Sequence, residues 1–482
     1  MIMKRKNAWN EYSPQEKKRA EDICHAYCHF LDCSKTEREC AEAAVKLARA
    51  QGYRDLRVIK EAHETLKPGD KVYACHMEKS VVLFQIGAEP LEKGLNILGA
   101  HTDSPRIDVK QVPLYEEQGN VYLDTHYYGG VKKYQWMALP LAIHGVVIRK
   151  DGTKVEIKVG EKEKDPVFVI TDLLPHLGKE QNEKKVKDFI DAEKMDLLIG
   201  NYPAEKGAEK HALGKNHLEI VDEEATAEEN EYVKRNILRI LREQYHIGEE
   251  DFISAELEIV PAGKARDLGF DRSMILAYGQ DDRSCAFTSL LALLELKVPR
   301  RTSCCILVDK EEIGSTGATG MRSHFFENTL AEVMELCGDY TELKLRRALA
   351  NSKMLSSDVS AAYDPMFSEY YEKKNAAYLA NGLVFNKYSG SGGKSGGNDA
   401  NPEFIAELRR IMEKHRVTIQ TAELGKVDRG GGGTIAYLMA DYGMEVIDCG
   451  VAVLSMHAPW EVSSKADIYE ALKGYLAFLK EA

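Results

Sequence analysis

The sequence predicts an α/β protein, a central mixed sheet flanked by helices and interrupted by a β-rich insertion. Three observations predict it. Short apolar runs that end in acid or imidazole residues occur before about residue 106 and return after about residue 255, the pattern of buried strands that deliver site loops. From about Asp108 to Ile170 the chain instead alternates apolar and polar residues between turns such as Asp151-Gly152, with almost no helical period. A length of 482 residues also exceeds one simple core. The expected division is 1–106 with 256–482 as one α/β domain, and 107–255 as the insertion.

Taken in order, Ser13-Pro14 supplies a cap and a first-turn proline for a helix to about Leu31, and a second helix runs from about Lys35 to Gln51 before Gly52. Strands follow at Lys71 to His76, Val81 to Ile86 and Leu95 to Ala100; the last carries His101-Thr102-Asp103 at its carboxyl end. After the insertion's strands, Gly178 to Glu250 reads as solvated loops with one helix near Glu229 to Gln244. Ile306-Leu307-Val308 then leads into Asp309-Lys310-Glu311-Glu312, and Met444 to Ile447 leads into Cys449 to His457. Two segments are glycine-rich. Ser389 to Gly397 lacks the spacing of a phosphate loop, so nucleotide binding is not expected. Gly430 to Gly433 is expected to open a helix whose N–H groups face substrate.

Composition narrows the classes. The formal charge of −12, from 65 Lys+Arg against 77 Asp+Glu, gives no attraction to phosphate backbones or anionic lipid, so no nucleic-acid or membrane partner is expected. No apolar run follows Lys4, Arg5 and Lys6, and none approaches the roughly 20 residues of a membrane span. Ten cysteines, several in apolar segments, read as reduced thiols of a cytoplasmic protein. Cys24, Cys28, Cys33 and Cys40, with His25 and His29, lack C-x-x-C spacing and are expected to pack helices rather than hold metal.

Five short segments place acids or imidazoles beside strand ends or glycines: Gly99 to Asp103, Gly279 to Arg283, Asp309 to Gly314, Ser356 to Ser360 and Ser455 to Pro459. Together they offer the nitrogen and oxygen donors of a dinuclear hydrolytic site. Asp281 is expected to bridge two divalent ions, with His101 and one carboxylate on one side and His457 and another carboxylate on the other. Glu312 can bind metal while its neighbour Glu311, left unligated, moves the proton of the attacking water to the leaving amine. Asp103 is placed to hold the His101 tautomer. Gathered without cations, these carboxylates would repel one another.

The ordered set His-Thr-Asp, Asp-Asp-Arg, Glu-Glu-Ile-Gly-Ser, Ser-Asp-Val and Ser-Met-His resembles the aspartyl aminopeptidase family of dinuclear zinc exopeptidases, which includes vacuolar aminopeptidase I. The resemblance spans from about His101 to the C-terminus. It implies peptide substrates, two divalent ions (zinc, with cobalt or manganese as alternatives), a zinc exopeptidase-like catalytic domain and an inserted dimerisation domain. It also implies a dodecamer built from dimers. The family's ligands fall on His101, Asp281, Glu312, Asp358 and His457, and its base on Glu311. His176, in Asp172-Leu-Leu-Pro-His-Leu177, matches the family histidine that enters a neighbouring subunit's site and stabilises the oxyanion. Lys387 matches the lysine that neutralises an acidic substrate side chain. Two other functions are weighed against an aminopeptidase: a dinuclear deacylase of small acylated amino acids, and a non-catalytic oligomeric scaffold.

Overall fold

A computed structural model describes residues 6–204 and 231–482. The chain forms two compact units, one of residues up to Pro105 with Lys264–Ala482 and the other Arg106–Gly263. The return crossing thus lies past the expected residue 255. Strand Ala255–Pro261 pairs antiparallel with Leu141–Ile148 and with Arg106–Glu117, so its hydrogen bonds place it in the insertion.

The larger unit is built on a nine-stranded mixed sheet. Its four central strands are parallel and neighbour one another in the order Ser303–Val308, Asn96–His101, Lys353–Ser356, Glu445–Gly450. Each strand carries consecutive apolar residues that point to opposite sides, because both faces of the sheet are covered. Leu98, Cys305 and Ile447 enter one core with Tyr27, Phe287 and Phe478. Their neighbours Ile97, Cys304 and Val446 enter a second core with Phe326, Leu330 and Met439. The chain leaves Asn96–His101, returns as the strand on one side of it, and crosses to the strand on the other side. Loops from three adjacent carboxyl ends therefore converge.

The flanking helices start where the sequence signals them. Ser13 accepts the Glu16 N–H and Glu16 accepts the Ser13 N–H, capping Pro14–Cys33. Thr36 and Glu39 repeat the device at Glu37–Ala50. All ten cysteines are free; Cys24 and Cys40 are buried and Cys33 is exposed.

The smaller unit holds a seven-stranded antiparallel sheet, from Lys154–Val159 at one edge to Val169–Ile170 at the other. Helix Tyr232–Ile240 continues through a π turn to Tyr245. The start of the helix expected from Glu229 lies outside the described residues. Among the described residues no helix is long and apolar enough to cross a membrane.

Candidate metal centre

His101 is the last residue of the central strand Asn96–His101, and Glu311 and Glu312 lie on a single 3-10 turn after Ser303–Val308. Asp358 follows Lys353–Ser356, and Asp281 sits in the first turn of helix Gln280–Glu295. His457 follows Ala452–Leu454, with backbone in the left-handed region.

These segments meet around one carboxylate. Asp281 Oδ1 lies 3.3 Å from His101 Nε2 and its Oδ2 lies 3.2 Å from His457 Nε2. Glu312 Oε1 is 3.4 Å from His457 Nε2, and Asp358 Oδ1 is 3.9 Å from His101 Nε2. Glu311 Oε2 stands 4.0 Å from His101 Nε2. Asp103 acts in two directions. Its backbone carbonyl accepts from His101 Nδ1 at 2.9 Å, leaving Nε2 to face Asp281. Its carboxylate accepts the Glu311 and Glu312 N–H groups at 3.1 and 3.2 Å, which fixes the glutamate turn.

The electrostatics call for cations. Burial, reinforced by the Asp281 charge, pushes the Glu312 carboxyl well above its usual range; burial with Asp282 does the same to Asp358. Burial raises Glu311 to about 7. Although burial opposes it, the bond to Asp281 raises His457 to about 10, and bonds to Asp103 and Asp281 raise His101. Glu312 Oε1 and Asp282 Oδ1 are buried without a hydrogen-bond donor. Donor atoms of His101, Asp281 and Glu312 lie within 4.8 Å of one another, as do those of His101, Asp282 and Asp358. Divalent cations fit this nitrogen and carboxylate set: they neutralise the acids and occupy the unpaired oxygens.

The centre opens on a cavity of about 690 Å³ lined also by Val359, Asn386, Tyr388 and Met456. Lys387 departs from expectation. It follows strand Leu383–Asn386, where alternate side chains face opposite ways, so Asn386 and Tyr388 line the cavity while Lys387 turns to Asp399 and the Ala400 carbonyl. Lys394 lines the cavity instead. Gly430 to Gly433 do not open a helix; Gly431–Gly432 pair with Gly390–Ser391, and the next helix is the short Ala436–Ala440. His176 lies exposed on the turn Pro175–Leu177 of the insertion. Two residues to which the sequence assigned no role of their own take one here. Asp282 accepts the His101 N–H at 3.3 Å. Glu461 accepts the Asp281 N–H at 3.0 Å and the His457 N–H at 2.7 Å. Glu461 follows the Ser-Met-His segment on a strand, and only that proximity hinted at it.

Residues 30–479 match the family model of aminopeptidase I zinc metalloprotease (M18). The chain belongs to the M18 family. It is a metal-dependent aminopeptidase, as the five-part motif implied, and zinc is the family's metal. A Clostridium acetobutylicum protein named "Probable M18 family aminopeptidase 1" is 58% identical over 479 residues, covering 99% of each chain. The crystal structure of an M18 aminopeptidase from Thermotoga maritima is 40% identical, with a TM-score of 0.90 over 100% of both chains. A structure of the S. cerevisiae mApe1 dodecamer shares the fold at a TM-score of 0.73 and 20% identity, covering 95% of this chain and 96% of that one. M18 aminopeptidases act on peptides, so the α/β fold and the hydrolytic reading agree with the family.

Proposed function

We propose that this M18 aminopeptidase works through two divalent ions held by His101, Asp281, Glu312, Asp358 and His457, with Glu311 as general base. The observation that carries the reading is the Asp281 carboxylate, one oxygen toward each imidazole. It supports Asp281 as the carboxylate that would serve both ions, with Asp358 helping to hold one beside His101 and Glu312 the other beside His457. When bound, the ions lower the pKa of water and polarise the scissile carbonyl. Glu311 lines the cavity, belongs to neither of the close donor groups that contain His101, and is held by Asp103 through its backbone. Its carboxylate is thereby free to take a proton from the attacking water and deliver it to the leaving amine. Zinc is the metal of this reading, with cobalt and manganese the alternatives to compare.

The test is a pair of variants. Glu311→Gln should keep its metal but lose at least about a hundredfold in kcat, the usual worth of a general base; Asp281→Ala should lose metal and turnover together. Near-normal turnover of Glu311→Gln, with metal counted by plasma mass spectrometry, overturns the base assignment. The same preparation, offered aminoacyl-nitroanilides of Asp, Glu, Leu and Lys beside N-acyl amino acids, separates acidic from neutral preference. It also separates a peptidase from the deacylase and scaffold functions, against which the family match weighs.

The assembly we infer is a dodecamer built from dimers that form through the insertion, in line with the mApe1 dodecamer of the same fold. In that assembly His176, exposed in its own chain, is available to a neighbour's cavity. A cytoplasmic location accords with ten free cysteines.

A further inference from the structure

The glycine-rich wall of the metal cavity is held from behind by one buried carboxylate. Gly390–Ser391 and Gly431–Gly432 pair as a two-stranded ribbon, with Ser389 and Thr434 beside it in the cavity lining. At Gly431 the strands approach too closely for a side chain, since a Cβ there would sit 2.5 Å from Ser391 Cα; one on Gly390 would sit 2.7 Å from the Ser395 carbonyl oxygen of its own loop. Such a ribbon has little side-chain packing and much conformational freedom to lose. Asp448, 1% exposed on the core strand Glu445–Gly450, accepts a hydrogen bond from Ser389 Oγ at 3.0 Å on Oδ2 and one from Thr434 Oγ1 on Oδ1. Each hydroxyl passes the hold onward. Ser389 Oγ accepts the Asn398 N–H at 3.2 Å, and Thr434 Oγ1 accepts the Ala436 N–H at 3.1 Å.

We propose that Asp448 is a positioning residue that fixes the glycine ribbon as the wall along which an extended peptide binds. The proposal rests on the reading of this cavity as the substrate site. A fixed ribbon edge can pair with peptide backbone, a contact that a longer substrate makes and an aminoacyl-nitroanilide does not. Asp448 touches no metal ligand in the centre described above, so loosening it should weaken peptide binding and leave the metals in place.

In the test, Asp448→Asn, Ser389→Ala and Thr434→Val are assayed on a tetrapeptide and on the nitroanilide of the same N-terminal residue, with metal content measured throughout. Asp448→Asn should raise the tetrapeptide KM about tenfold more than the anilide KM, the worth of one charge-assisted hydrogen bond, with metal content unchanged. The two hydroxyl variants should each give part of that effect and add little in the Asp448→Asn background. An unchanged tetrapeptide KM, or equal shifts for both substrates, overturns the proposal. If Asp448→Asn does not fold, the Ser389→Ala, Thr434→Val double variant carries the same expectation. Turnover that survives Asp281→Ala would instead refute the cavity reading; an inactive Asp281→Ala beside an unaffected Asp448→Asn refutes this proposal alone.

Discussion

Glu461, 1% exposed, grips two metal-centre segments by their backbones, Asp281 through one oxygen and His457 through the other. Neither bond needs a particular side chain at 281 or 457, so no residue pattern advertises the role. Glu461→Gln keeps the volume but turns an amide NH2 toward one of two backbone donors. The expected result is roughly a 10- to 100-fold loss of metal affinity, the range for removing a group that orients a ligand. A metal titration giving the wild-type constant would reject the role. The proposed ligands were legible because hydrolytic metal chemistry demands imidazole and carboxylate, and few residue types supply them. Lys387 shows the complementary case: its charge is visible in the chain, but the face it occupies, toward Asp399, depends on strand register.

Elements declare their ends more plainly than their partners. The capping boxes at Ser13 and Thr36 lie within four residues of sequence, and the Ser13 cap was read from it, whereas the attachment of the last helix was not. Asp467, in the first turn of Lys465–Glu481, accepts the Ala380 and Gly382 N–H groups at 2.7 Å each and so ties that helix to a distant loop. Burial raises its carboxyl from 3.8 to about 8 despite these bonds. Between those values the folded chain keeps a proton that the unfolded chain has released, so stability falls as pH rises. The contribution is fully present below the unfolded value and is lost as pH passes through the folded one. Asp467→Asn removes the titration. The wild-type Tm minus the variant Tm should therefore shrink by a few degrees from pH 5 to pH 8, at about 1 °C per kcal/mol for an unfolding entropy of roughly 2 cal/mol/K per residue in a chain of this size. A difference independent of pH would contradict the assignment.

For the whole molecule, the inferred dodecamer makes a prediction that no isolated chain could satisfy. If His176 serves a neighbour's cavity, His176→Ala should lower kcat by about 10²- to 10³-fold, the worth of an oxyanion donor. Mixing it with Glu311→Gln during assembly should then restore activity. A mixed pair has one complete site, so random pairing returns about a quarter of wild-type turnover per chain. Absence of recovery in verified mixed assemblies would exclude a role across subunits.

By itself the sequence determined the class of fold and offered a β-rich interruption and a set of candidate donors, because each depends on residue type and short-range period. The tertiary structure decided which donors become neighbours: Asp281 between two imidazoles, Glu312 beside His457, and Asp358 nearer His101. It also decided that a glycine-rich stretch forms a paired ribbon rather than a helix start. These outcomes depend on register and on contacts between residues far apart in the chain, which local pattern does not encode.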